Sequence, residues 1–97
     1  MSGSTKKRLE WSARSADHLL QIEEYIAAEN PLAAQKVVQK ILLTAEQLPG
    51  FPMIGHTGRR PGTREIIVPR YPYFIVYRLT ATRISILAVL HQARQYP

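Results

Sequence analysis

The sequence predicts a two-layer α+β domain in which an N-terminal antiparallel helical hairpin packs on an antiparallel β-sheet, in the order β-α-α-β-β-β. Three observations predict it. Apolar residues recur at helical spacing as far as Leu48, a stretch dense in proline and glycine follows, and beyond that the hydrophobic period becomes two. At 97 residues with 45% apolar content, the chain can fill one core and not two. A single domain over residues 1–97 is expected, with 1–7 as a flexible N-terminus.

Lys7 to Trp11 reads as a short edge strand, after which Ser12 or Ser15 can cap a helix. Ala16, Leu19, Ile22 and Ile26 recur at three- and four-residue spacing, with Asp17, Glu23, Glu24 and Glu29 mostly on other faces, so the first helix is amphipathic and ends near Glu29. Asn30-Pro31 then supplies both start signals of a second helix: a side-chain oxygen for the free backbone N–H groups, and a ring whose missing N–H costs nothing at the first helical position. Its apolar stripe is Ala34, Val37, Val38, Ile41, Leu42, Ala45 and Leu48, and Pro49-Gly50 ends it. With so short a connection the helices should lie antiparallel.

Phe51 to Gly62 contains Pro52, Gly55, Gly58, Pro61 and Gly62, a density of breakers that predicts an exposed loop without regular structure. Thr63 to Val68, Tyr73 to Leu79 and Arg83 to Leu90 are rich in β-branched and aromatic residues. The separators Pro69-Arg70-Tyr71-Pro72 and Thr80-Ala81-Thr82 are short enough for hairpins, so these strands should form a meander. In its middle strand Phe74, Val76 and Arg78 share one face, and Ile75, Tyr77 and Leu79 the other.

Charge divides the chain in the same place. Residues 1–58 hold six cations and six anions, whereas 59–97 hold seven arginines, no lysine and one acid, Glu65, so the net charge of +6 lies entirely in the second half. Such asymmetry points to an anionic partner, either nucleic acid or an acidic protein segment. Arginine without lysine favours recognition, because the planar guanidinium pairs bidentately with phosphate or carboxylate.

Several function classes fall away. There is no cysteine for a disulfide or thiolate zinc site, and His18, His56 and His91 are too scattered for a metal cluster, so no metal or cofactor is expected. The basic start runs into Leu9-Glu10-Trp11 rather than an apolar stretch, and no apolar run approaches the roughly 20 residues of a spanning helix. A cytoplasmic protein without membrane contact is expected. Gly55-His56-Thr57-Gly58 matches no phosphate-binding fingerprint and reads as turn chemistry, and no serine sits in a nucleophile elbow.

Candidate chemistry therefore concentrates in the second half. Arg59, Arg60 and Arg64 lead into the first meander strand, Arg78 lies in the middle one, and His91 with Arg94 follows the last. On a meander these segments are neighbours, which predicts a cationic face with one titratable imidazole. Such a face could bind a phosphodiester and, with His91 as acid or base, stabilise a transferring phosphate. Tyr71, Tyr73, Phe74 and Tyr77 could stack on bases, although core packing accounts for most of them.

Trp11-Ser12 opening a helix, Ile22-x-x-Tyr25-Ile26, Asn30-Pro31-x-Ala33-Ala34, Leu48-x-x-Phe51-Pro52, Pro61-Gly62-Thr63-Arg64-Glu65, Tyr73-x-x-x-Tyr77-Arg78 and His91-x-Ala93-Arg94-Gln95-x-Pro97 together resemble the ParE/RelE toxin superfamily, most closely its ParE branch. The resemblance runs from about Leu9 to Pro97. It implies the toxin of a bacterial type II toxin–antitoxin module, held inactive by a ParD-like or similar antitoxin encoded beside it, with operator DNA contacted only through that antitoxin. ParE-like members are described as inhibitors of DNA gyrase and RelE-like members as ribosome-dependent mRNA endoribonucleases, and a shared fold does not choose between them.

For a nuclease, the resemblance implies Arg64, Arg78, His91 and Tyr96 as the catalytic set, but lysine is missing after Lys40 and Glu46 precedes the loop. For a ParE-like toxin it implies no catalytic set. There the expectation is a target- or antitoxin-binding surface of Arg60, Arg64, Arg78, His91 and Arg94. A third reading is a module that has lost toxicity and acts only with its antitoxin in operon repression.

Overall fold

The computed structural model describes residues 6–93. Its elements are β1 (Arg8–Trp11), α1 (Ala13–Ala27), α2 (Pro31–Glu46), β2 (His56–Thr57), β3 (Thr63–Ile67), β4 (Tyr73–Leu79) and β5 (Arg83–His91). The strands form one sheet in the order β1-β5-β4-β3-β2. β2 through β5 pair antiparallel in succession, and β1 closes the far edge parallel to β5.

Both helices start where local chemistry says they should. Ser12 is the N-cap of α1, its Oγ accepting the Ser15 N–H at 3.0 Å. Ser15 is itself fully buried and donates its hydroxyl to the Ser12 carbonyl at 2.9 Å. It occupies the inward position that the periodicity assigned to Ala16, which is exposed. Asn30 caps α2 through Oδ1, which accepts the Ala33 N–H at 3.0 Å, with Pro31 at the first turn.

The core lies between this hairpin and one sheet face. Val37, Ile41, Ala45 and Leu48 of the α2 segment meet Ile66, Val68, Ile75, Tyr77, Ile84 and Ile86, while Leu19, Ile22 and Ile26 of α1 pack against it partly buried. The opposite face carries a smaller cluster of Phe74, Val76 and Ala88, flanked by Leu87 and Leu90.

Three features differ from the sequence expectation. The sheet is mixed, because β1 pairs parallel with β5 once the chain has passed through the hairpin and returned along the meander. The breaker-rich loop contains a regular piece: His56 and Thr57 pair with Glu65 and Arg64 as β2. β5 also carries a bulge, for Val76 faces Ala88 and Tyr77 faces Ile86, leaving Leu87 as an extra residue. The extra residue shifts side-chain alternation, so Ile84 and Ile86 before it, and Val89 and His91 after it, all point toward the helices.

Among the described residues no helix is long and apolar enough to cross a membrane. Residues 1–5 of the segment expected to be flexible lie outside the described range. Lys7, at its end, donates from Nζ to the carbonyls of Thr80 and Ala81, both at 2.8 Å.

Candidate binding surfaces

The pairing registers place the candidate residues on different faces and at different ends of the sheet. Arg78 stands exposed on the face away from the helices, opposite Thr63 on β3 and Ser85 on β5. Arg60 lies in the turn before β3, where its carbonyl accepts both the Thr63 hydroxyl at 2.7 Å and the Thr63 N–H at 3.2 Å. Gly62, with φ of 78°, completes this turn, and the space beside it is bounded by the Arg78 guanidinium.

Arg64 is not part of that cationic end. It faces Tyr77 across the β3–β4 ladder, on the helix side, where Nε donates to the Gly55 carbonyl at 3.0 Å and Nη2 to the Met53 carbonyl at 3.4 Å. Its guanidinium therefore holds the loop that precedes β2. His91 is farther away still. It pairs with Tyr73 at the opposite end of β4, and its ring stands edge-on to Tyr73 with centroids 5.3 Å apart. Arg78 lies five residue steps along β4 from Tyr73, about 17 Å of strand. Hence His91 and Arg78 differ in both face and end, and the described residues do not form a single cationic face carrying an imidazole. Arg94 and Tyr96 lie outside the described residues.

The structure instead sets Arg78 in a row with two arginines that sequence reasoning did not select, Arg8 and Arg83. Arg8 of β1 lies directly beside Arg83 of β5 in the parallel pairing, and Arg78 follows on β4, one strand further across. All share the face away from the helices. Adjacent strands stand about 4.8 Å apart, and because Arg78 is opposite Ser85 it lies two residues along from Arg83, so the row steps diagonally across the sheet. Glu10 answers it with one carboxylate, 3.6 Å from the Arg83 guanidinium and well exposed to solvent. No local signal could have grouped Arg8 with Arg83, because only the pairing of the first strand with the last brings them together.

Glu65, the one acid of the basic half, is spent internally. Its side chain is only 4% exposed, Oε2 accepts the Arg59 N–H at 3.1 Å, and Oε1 lies 3.8 Å from Arg59 Nε. The Arg59 guanidinium also sits 5.3 Å from the centre of the Phe74 ring. A buried carboxylate needs such partners, and here it anchors the entry of β3.

At the other end, a cleft of about 510 Å³ opens between α1 and the end of β5, lined by His18, Gln21, Ile22, Tyr25, Tyr73, Val89, Leu90 and His91. The Val89 N–H donates to His18 Nδ1 at 3.2 Å, and the Ala93 N–H to His91 Nδ1 at 3.0 Å. Each imidazole thus uses Nδ1 as an acceptor, which puts its proton on Nε2. Among the described residues, no group of three or more histidine or acidic side chains could hold a metal ion.

Comparison with known proteins matches this architecture. Residues 9–96 fit the family model described as the ParE toxin of the type II toxin–antitoxin system parDE. Y4kP of Sinorhizobium fredii, named as a toxin, is 36% identical over 93 residues, 96% of either chain. Toxin RelE2 of Caulobacter vibrioides is 30% identical over 84 residues, 87% of this chain and 93% of that one. Among solved structures, the chromosomal ParDE toxin–antitoxin system from P. aeruginosa superposes with a TM-score of 0.83 at 26% identity, covering 91% of this chain and 98% of its own. The E. coli DinJ-YafQ toxin–antitoxin complex shares the fold at a TM-score of 0.60 and 15% identity, covering 92% of this chain and 96% of its own.

Proposed function

Because the chain belongs to the ParE toxin family of type II toxin–antitoxin systems, we propose that it acts in the cytoplasm as a non-catalytic poison of DNA gyrase, neutralised by a cognate antitoxin. The observation that carries this reading is the separation of His91 from Arg78. The proton carrier of the basic half points into a cleft on the helix side, and the arginine row lies about 17 Å along the strand on the other face. General acid–base catalysis needs its group within hydrogen-bond reach of the reacting atoms. An arginine row without an imidazole beside it suits binding of an anionic surface instead. Arg8, Arg78 and Arg83, with Arg60 at the turn, form the surface offered to the target.

Cleavage of mRNA on the ribosome is the competing reading. It is favoured by the likeness to Toxin RelE2 and by the suitability of an arginine row for phosphates. The test is to induce the chain without an antitoxin, then assay the purified protein against gyrase supercoiling and against translating ribosomes. Inhibited supercoiling with intact mRNA is expected. Codon-spaced cuts in mRNA would overturn the proposal in favour of the nuclease, and unhindered growth would leave a module that acts only in repression.

A further inference from the structure

We infer that the row of Arg8, Arg83 and Arg78 binds the phosphate backbone of duplex DNA without reading its sequence, so that the toxin touches the DNA its target holds as well as the target itself. The inference deepens the gyrase reading above and rests on it for where such DNA is met.

The row is a charged surface without an apolar anchor. Arg8 and Arg83 are partners across the β1–β5 pairing, and Arg78 stands one strand further, opposite Ser85. All three are exposed. Lys7 adds a cation at the same end, its Nζ donating at 2.8 Å to both the Thr80 and the Ala81 carbonyls of the β4–β5 turn. Protein partners draw most of their affinity from large apolar or aromatic side chains that the interface buries. On this face Phe74, Val76 and Ala88 are already buried. Among the described residues, the exposed large apolar side chains lie on the helices, in the loop 51–54 and at Ile67, which pairs with Phe74 at the other end of β3. What the row offers is guanidinium, whose planar fork fits phosphate.

Its span and its neighbours favour a duplex over a single strand. From Arg8 to Arg78 the row crosses two strand spacings and advances two residues, about 12 Å, the axial rise of three to four phosphates on one DNA strand at about 3.4 Å each. Proteins that hold single strands stack the bases on exposed aromatic rings. The rings of β4, Tyr73, Phe74 and Tyr77, are all buried. The row can therefore grip a backbone but has no platform for splayed bases, and contacts to phosphate alone carry no sequence information.

One carboxylate stands within this surface. Glu10 lies 3.6 Å from the Arg83 guanidinium with its side chain 38% exposed. It competes with a phosphate for the same donors, so its removal should act in the opposite direction from removal of an arginine.

The test measures binding of the whole purified chain to two short labelled duplexes of unrelated sequence. Both should bind equally, and affinity should fall about 40-fold between about 50 and 200 mM salt, the log–log slope of about −2.7 that three phosphate contacts give. Arg8→Gln, Arg78→Gln and Arg83→Gln should each flatten that slope by about 1. Glu10→Gln should tighten binding about twofold to threefold, as expected for loss of an exposed counter-charge. Arg64→Gln removes the same unit of charge from the helix side, where Arg64 holds the Gly55 and Met53 carbonyls, and should leave the slope unchanged. An equal flattening by Arg64→Gln overturns the inference, as does a single-stranded RNA that binds more tightly than the duplexes. A polyglutamate that displaces the labelled duplex as well as unlabelled duplex does so overturns it in favour of an acidic protein partner. A chain that blocks gyrase supercoiling with no affinity for the duplexes overturns it and leaves the gyrase reading intact. One that binds them as described while supercoiling runs unhindered upholds the ligand of the row and removes the gyrase reading.

Discussion

The hydroxyl of Tyr77 accepts the backbone N–H of Gly55 at 2.9 Å and donates to the carbonyl of Pro52 at 2.9 Å. A fully buried ring in the middle of β4 thus fixes the loop that delivers the chain to β2. Gly55 is needed at this point, since a Cβ there would lie 2.6 Å from the Tyr77 hydroxyl and 2.7 Å from the Glu65 carbonyl.

Tyr77→Phe should therefore leave a buried N–H without its acceptor and lower stability by about 1–3 kcal/mol. Gly55→Ala should cost at least as much, because backbone as well as the hydroxyl must give way. Urea unfolding of both variants checks this, and a Tyr77→Phe protein as stable as the parent would show that the loop is held by other contacts.

Arg64→Ala should act on the same loop and not on the target. Its guanidinium bonds the Gly55 and Met53 carbonyls, so the expected result is a loss of roughly 1 kcal/mol of stability and faster backbone exchange around 53–55. Toxicity per folded molecule should stay near that of the parent when soluble protein is compared at matched amounts.

The arginine row should behave in the opposite way. Replacing Arg8, Arg78 and Arg83 together by Gln should leave the unfolding midpoint almost unchanged, because these side chains are exposed. Association with the target should slow by about tenfold or more at low salt, with the difference shrinking as added salt screens the charges. Equal association rates for the triple variant and the parent, measured at low ionic strength, would remove this surface from the target interface.

Glu65→Ala should destabilise by about 1–3 kcal/mol by depriving the Arg59 N–H of its acceptor and leaving Arg59 near Phe74 without its carboxylate. Glu65→Gln keeps an acceptor for that N–H and should recover part of the loss. Thermal unfolding of the pair separates the hydrogen bond from the charge.

How far such assignments could be read from the sequence depended on the range of the interactions involved. The starts at Ser12 and at Asn30-Pro31 were legible because a cap is a contact between residues three apart. The hairpin and the meander were legible from periods of three to four and of two. The parallel place of β1 was not, since residues 8–11 and 83–86 meet only in the folded sheet. Arg64 and His91 were selected as chemistry-bearing side chains, but their directions are set by pairing. One is turned toward Tyr77 and the loop, and the other is carried to the helix side by one extra residue.

That extra residue has a consequence for how the strand keeps its place. Leu87, Ala88, Val89 and Leu90 are all apolar, so sliding this stretch by one position would exchange one greasy side chain for another on either face. Hydrophobicity is indifferent between the two alignments. The choice falls to polar contacts with a different element: Ser12 Oγ on the Leu87 carbonyl at 3.3 Å and His18 Nδ1 on the Val89 N–H at 3.2 Å. The first two turns of α1 thus act as a ratchet pawl for the end of β5, and a change at Ser12 or His18 reaches His91 without touching it.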